Sequence, residues 1–311
     1  MATHNLAASP ATVHWGYFEA ALKPKLTVRS GDRVRIETVS GAVDVLPAAP
    51  FTVLPQHRDI LEKVSRRMVP GHILTGPVAV EGTRPGDVLE IRVHEVELTA
   101  DWGWNVIRPL MGTLPEDFPD YHLTHIGLDR ARMRGRLPWG GEVPLQPFFG
   151  VMGVAPPAAW GTLSSVVPRA FGGNLDCKEL GAGAVLLLPV FVEGALFSAG
   201  DGHATQGDGE VNVTAIETCL AGTFELTVRR DLKLDFPRAE TASHHITFGI
   251  DPVLDAAAKQ ALRGMIALIC ERRNLSREEA YTLCSLACDL HVTQLVNQHK
   301  GVHAMLPKSV L

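Results

Sequence analysis

The chain has no CxxC pair and only five cysteines, Cys177, Cys219, Cys270, Cys284 and Cys288. The odd count and the spacing argue against a complete disulfide framework and against a structural zinc finger or ribbon. A reducing cytoplasm is therefore the expected compartment. No basic run occurs and the net charge is -5, which speaks against nucleic acid as a partner. The longest apolar run, near Ala184 to Val192, is broken by Pro189 and is too short to cross a bilayer, so no membrane is expected. The first residues, MATHNLAASPATVHWGYFEA, lack the basic region and apolar stretch of a secretory signal. There is no GxSxG elbow, GxxxxGK loop or GxGxxG turn. The usual nucleophile-elbow hydrolase and the common nucleotide binders are thereby set aside.

What is present is ordinary for a globular protein: 311 residues, 46% hydrophobic and 20% charged. That length allows one large domain or two smaller ones. Up to about residue 250 the pattern is mostly β. LTVRSGDRVRIETV has two alternating runs around a Ser-Gly-Asp turn, and GPVAVEGTRPGDVLEIRVHEVEL repeats the arrangement around Arg84-Pro85-Gly86-Asp87. Pro85 pre-sets φ and Gly86 accepts a positive φ. GAVLLLPVFV shows no alternation and reads as a strand buried on both faces. Short strands punctuated by Gly and Pro predict a mainly β, sandwich or barrel-like fold.

Residues 101–170 have weak periodicity and hold all but one of the five tryptophans. They read as an irregular segment that closes over a pocket, packs against a neighbouring subunit, or both, with Trp104 as a substrate wall. The last sixty residues turn helical. Pro252 suits a first helical position, and Val253, Leu254, Ala257, Ala258, Ala261, Leu262, Met265, Leu268 and Ile269 form one face. Asn274 ends that helix. Ser276 and Glu279 make a capping box for a second one carrying Leu283, Leu286, Ala287, Leu290 and Leu295. The expected organisation is a β-rich catalytic region over 1–250 and a helical, smaller α/β part over 251–311, packed into one unit.

The chemistry concentrates in GALFSAGDGHATQGDGEVNVTAIE, Gly194 to Glu217. Asp201, His203, Gln206, Asp208, Glu210 and Glu217 fall within 24 residues between apolar flanks. In an extended chain residues two apart share a side, so Asp201 would face with His203, and Asp208 with Glu210. A carboxylate and an imidazole suit zinc or another first-row divalent ion. FGGNLDCKEL sets Asn174 and Asp176 two apart; in isolation it reads as a Gly-rich turn with Asx hydrogen bonding. His72, between glycine-bearing turns, reads alone as structural, as do His291, His299 and His303. Ser164-Ser165 raises Ser-Ser-Lys amide hydrolysis, but no partner lysine can be assigned.

Together these blocks resemble the acetamidase/formamidase family. The resemblance rests on HILTGPVAVEGTRPGDVLEI, DWGWNVIRP, GGNLDCKEL, LPVFVEGALFSAGDGHATQGDGEVNVTAIE and AYTLCSLACDLHVTQLVNQHKGVHAMLPKSV, spread over most of the chain. Ile73 departs from it, standing where that family's segment is expected to carry proline. The resemblance implies hydrolysis of short amides to carboxylate and ammonia, a β-rich fold, a divalent metal usually taken as zinc, and a homo-oligomer. On it, Asp176, Asp201 and His203 become the expected ligands, with His72 as a fourth or a substrate contact. Glu210 becomes the general base and acid, and Glu217 its second-line support. Asn174 and Gln206 become hydrogen-bonding partners of a small amide. Two rivals stay open: a metal-dependent lyase or isomerase, and a non-enzymatic β protein whose acidic loop binds Ca²⁺.

Overall fold

A computed structural model describes residues 2–311 and is mainly β, with helices towards the C-terminus. Two large sheets carry nearly all the strands. The nine-stranded sheet is built around Val88–Leu98 and Leu220–Arg229, which pair antiparallel over most of their length. The eleven-stranded sheet has Phe197–His203 in its interior, paired with Phe148–Gly153, Ile73–Val80 and Glu217–Thr218. The sheets pack face to face. Phe149 and Phe197 on one side meet Phe224 on the other, with ring centroids 5.2 and 5.6 Å apart. Each such fully buried side chain contributes on the order of 1.5–3 kcal/mol relative to exposure. Val34, Ile36 and Ile91 complete the nine-stranded side of this core, and Val78, Val151 and Ala199 the other.

The two Gly-Asp turns are one device used twice. Gly31 and Gly86 have φ of +88° and +87°, with open space around a would-be Cβ, so conformation alone selects glycine there. In both, the aspartate carboxylate accepts from the backbone three residues earlier: Arg29 N–H to Asp32 at 3.1 Å, Arg84 N–H to Asp87 at 3.0 Å. Each turn carries the chain from one sheet to the other. Leu26–Val28 and Ile73–Val80 lie side by side and parallel in the eleven-stranded sheet. Asp32–Glu37 and Val88–Leu98 flank Leu220–Arg229 in the nine-stranded one.

Residues 101–170 hold more regular structure than their periodicity suggests. They contain the strands Trp102–Ile107, His122–Asp129, Arg134–Arg136, Glu142–Pro144 and Phe148–Gly153. Residues 108–121 are irregular. The tryptophans part company: Trp102 fills a second core beneath the helix Pro55–Lys63, Trp104 faces a cavity, and Trp139 is 72% exposed. At the C-terminus the first helix is Leu254–Arg273, with Asn274 left-handed at its end, and Ser276 and Glu279 form the expected capping box. The second helix stops at Ala287, short of Leu290 and Leu295. Those two lie in and just after a strand, Asp289–Gln294, that pairs with Lys300–Pro307. Lys300–Pro307 in turn pairs with His244–Asp251, so residues 251–311 complete the nine-stranded sheet. Backbone pairing across the hairpin outweighs the helical spacing of the leucines.

Candidate metal centre

The strand Phe197–His203 reads F-S-A-G-D-G-H and is buried throughout. Its glycines alternate with its functional residues. A Cβ on Gly200 would stand 2.5 Å from the Ile73 carbonyl oxygen, and one on Gly202 2.5 Å from that of Thr218. One face of the strand thus packs hard against its neighbours while the other presents Asp201 and His203. The Asp201 carboxylate lies 3.3 Å from His203 Nε2.

Three other elements bring the remaining groups. Glu217 is the cross-strand partner of His203, and its Oε1 lies 3.1 Å from Nε2. Asp176 follows Gly172–Asn174, is held by a bond from its N–H to the Gly150 carbonyl, and puts Oδ1 3.9 Å from Nε2. Glu210 sits in the loop after the strand, with Oε1 4.0 Å from Nε2. His72, at the mouth of Ile73–Val80, puts its Nε2 3.7 Å from Asp201. All four acids and His203 are buried. Asp208 does not accompany Glu210. The stretch between them is a loop with Gly209 at φ +94° and Glu210 at +44°, so two-residue alternation fails; Asp208 turns away to Lys178 and His291.

Four buried carboxylates face two imidazoles, their ion-pairing partners among the described residues. Burial, then the Asp201 charge, pushes Asp176 up to about 6. Burial pushes Glu217 up to about 7. Burial and the Asp176 charge push Glu210 well above the usual range. Asp201 goes the other way: burial opposes its charge, but His72 and His203 hold it below the usual range. Burial would lower His203; the Glu217 and Asp201 charges outweigh it and carry it well above its ordinary value.

The donor set fits a divalent cation. Asp176 Oδ1, His203 Nε2 and Glu210 Oε2 are buried without hydrogen-bond partners. Such orphaned atoms are costly unless something else binds them. Asp176, His203 and Glu210 form one triplet of ligand atoms within 4.8 Å of each other, and Asp201, His203 and Glu217 form another. Gly150 leaves the space open: a Cβ there would stand 2.5 Å from both Asp176 Oδ1 and Asp201 Oδ2. Gln206 Oε1 accepts from His203 Nδ1 at 2.9 Å, so Nε2 is the nitrogen that faces the carboxylates and that a cation would take in place of a proton. The Gln206 amide is oriented by bonds to the carbonyls of Asp176 and Thr293.

A cavity of about 580 Å³ opens over the cluster, with His72, Trp104, Asn174, Asp201, Glu210 and Glu217 in its lining. Asn174 gives its Nδ2 to the Val166 carbonyl, while Oδ1 has no partner. Trp104 Nε1 is likewise unpartnered. Sequence reasoning missed three supporting residues. Ser165 Oγ lies 3.0 Å from His72 Nδ1 and accepts its backbone N–H, Asn297 Nδ2 donates to Asp176 Oδ2 at 2.5 Å, and Gly150 forms the floor. The Ser165 hydroxyl, half of the Ser164-Ser165 pair, thus sits against His72, and the nearby Lys178 is paired with Asp208.

The family model described as the acetamidase/formamidase family matches residues 4–160 and 157–311. The chain belongs to the acetamidase/formamidase family. A solved acetamidase from Bacillus halodurans shares the fold over 98% of each chain, at a TM-score of 0.85 and 31% identity. An acetamidase from Mycolicibacterium smegmatis is 26% identical over 58% of this chain and 57% of its own length. A formamidase from Methylophilus methylotrophus is 30% identical over 50% of this chain and 51% of its own. The matched stretches thus span about half the length of these curated relatives.

Proposed function

We propose that this member of the acetamidase/formamidase family is a metal-dependent amidohydrolase releasing a carboxylate and ammonia from a linear primary amide. The observation that carries the reading is the crowding of four buried carboxylates around His203 at the floor of a cavity, where only protons or a cation can offset their charge. Buried charge without compensation is not tolerated, so a cation belongs there. His72, Asp176, Asp201 and His203 are the ligands in this reading. Two imidazoles among them favour zinc over calcium, which takes oxygen donors. The ion supplies Lewis-acid activation of water and of the amide carbonyl.

The chain's own groups do the rest. Glu210 takes the proton from the attacking water and returns it to the amide nitrogen, which leaves poorly unless protonated. Glu217, anchored at Oε1 by the Ala215 N–H, keeps a second carboxylate against His203. Asn174 Oδ1 accepts from the substrate amide, and Trp104 supplies a wall and an indole donor. Gln206 acts through His203 rather than on the substrate. The cavity volume lies in the range of sites for ligands far larger than formamide, about 300–1,000 Å³. Trp15, Val106, Met111 and Val296 make much of its wall apolar. Such a cavity has room for an aliphatic or aromatic acyl group as well as for formamide and acetamide.

A homo-oligomer and a cytoplasmic setting belong to the same reading. The irregular stretch 108–121 leaves Leu110 90% exposed, with Leu114, Phe118 and Tyr121 exposed nearby, an apolar surface suited to a neighbouring subunit. All five cysteines are unpaired, as a reducing compartment favours. The deciding experiment is an ammonia-release screen over formamide, acetamide, longer aliphatic amides and aromatic amides with metal-analysed enzyme. Turnover of at least one of these amides that vanishes in His203→Ala together with the metal is expected. No ammonia from any amide would favour the lyase, isomerase or calcium-binding readings.

A further inference from the structure

The C-terminal hairpin carries ligating side chains that amide hydrolysis does not use. His291 and His303 are directly opposed residues of Asp289–Gln294 and Lys300–Pro307. Their rings are stacked, with centroids 4.9 Å apart and planes 9° from parallel. Asp208 reaches them from the loop after Phe197–His203, its Oδ2 lying 3.0 Å from His291 Nδ1. One ligand atom from each of the three residues lies within 4.8 Å of the other two. Small side-chain movements bring such a trio around an ion with bonds of about 2.0–2.2 Å.

His303 is the observation that points to a ligand. It is 0% exposed. Its Nδ1 is engaged by Thr293 Oγ1 at 2.8 Å, and its Nε2 is buried with no partner. A buried imidazole with one nitrogen tethered to a neighbour and the other bare is the arrangement of a metal-binding histidine. Lys178 Nζ lies 3.0 Å from Asp208 Oδ1, which leaves Asp208 one oxygen to offer. Two imidazoles and one carboxylate oxygen select a first-row transition ion over calcium or magnesium.

We propose that Asp208, His291 and His303 form a second site for a zinc-class divalent ion, separate from the cluster around His203. The ion would strap the loop to the hairpin. Gly209 already donates to the Thr293 carbonyl and accepts from the Leu295 N–H, at 3.2 and 3.0 Å. Asp208 stands between Gln206, which orients His203, and Glu210, so an ion there fixes the stretch presenting both. The proposal does not depend on what the His203 cluster catalyses.

The test is metal content of the full-length protein, equilibrated with zinc and freed of loosely bound ion. Wild type should hold two equivalents, and His291→Ala and His203→Ala one each. Zinc should still raise the melting temperature of His203→Ala, and should not raise that of the His203→Ala/His291→Ala double variant. If His291→Ala does not fold, Asp208→Asn serves in its place, with the same loss of one equivalent expected. One equivalent in wild type that disappears in His203→Ala alone overturns the second site, as does a His291→Ala or Asp208→Asn protein that keeps two. Failure of His203→Ala to lose metal counts against the first cluster only.

Discussion

At the residue scale, the centre combines strained backbone with displaced protonation. Asp176, Asp201 and Glu210 hold φ of +49°, +58° and +44°, a region that costs a side-chain-bearing residue about 1–2 kcal/mol. Three such residues in one site mark a place where geometry is kept at the expense of stability. Glu210→Gln preserves shape and removes the titrating group. It should keep its metal and lower turnover by on the order of 10²–10⁴. Turnover at the wild-type level would pass the proton-carrying role to Glu217. The carboxylates should also set the pH dependence of the proposed metal binding. With Asp176 at about 6 and Glu217 at about 7 in the metal-free protein, acid protonates one proposed ligand and the carboxylate that leans on another, His203. Zinc affinity should therefore fall as pH drops from about 7 to 5, and uptake near neutrality should release protons. Calorimetry in buffers of different ionisation enthalpy reads both; affinity constant from pH 5 to 8 would contradict the charge argument.

At the element scale, the strand Phe197–His203 matters for its glycines as much as for Asp201 and His203. Gly202 faces Thr218 and Leu220 so closely that a Cβ would fall 2.5 Å from the Thr218 carbonyl oxygen and 2.6 Å from Leu220 Cγ. Backbone oxygen cannot rotate away, so Gly202→Ala must push the strands apart. The same separation moves Glu217, which is paired with His203 one position along. We expect a loss of about 1–3 kcal/mol in denaturant unfolding, the usual range for overpacking. We also expect metal binding weakened although no proposed ligand is changed. An unchanged midpoint and full metal occupancy would show that the strand tolerates the displacement.

At the scale of the whole molecule, a buried histidine on Val13–Trp15 ties that strand of the eleven-stranded sheet to Phe197–His203 across the Ile73–Val80 strand between them. His14 faces the Tyr17 carbonyl oxygen at 2.7 Å and Ser198 Oγ at 3.0 Å. Burial is the main cause that lowers it to about 4. A depressed value means that the unfolded chain binds the proton first. The stability contribution is then full above about 6.5 and is lost as pH falls through about 4. Its size is on the order of 3 kcal/mol. His14→Gln should make unfolding free energy less dependent on pH across that window. The raised carboxylates around His203 slope the opposite way, but they are present in both proteins and cancel in the comparison. Parallel pH profiles for the two proteins would place the acid sensitivity elsewhere.

The sequence by itself determined the β-rich class, the repeated Gly-Asp turn, the helix ends at Asn274 and Ser276, and the segment that carries Asp201, His203 and Glu210. These are local matters: turn chemistry, caps and alternation are written in neighbouring residues. Long-range strand pairing decided what local pattern cannot carry. It set Glu217 opposite His203, turned Leu290 from helix to strand, and gave the 101–170 segment its strands. The roles of Ser165, Asn297 and Gly150 were likewise invisible, because a hydroxyl, an amide or a missing Cβ acquires its meaning only from what stands 3 Å away in the fold.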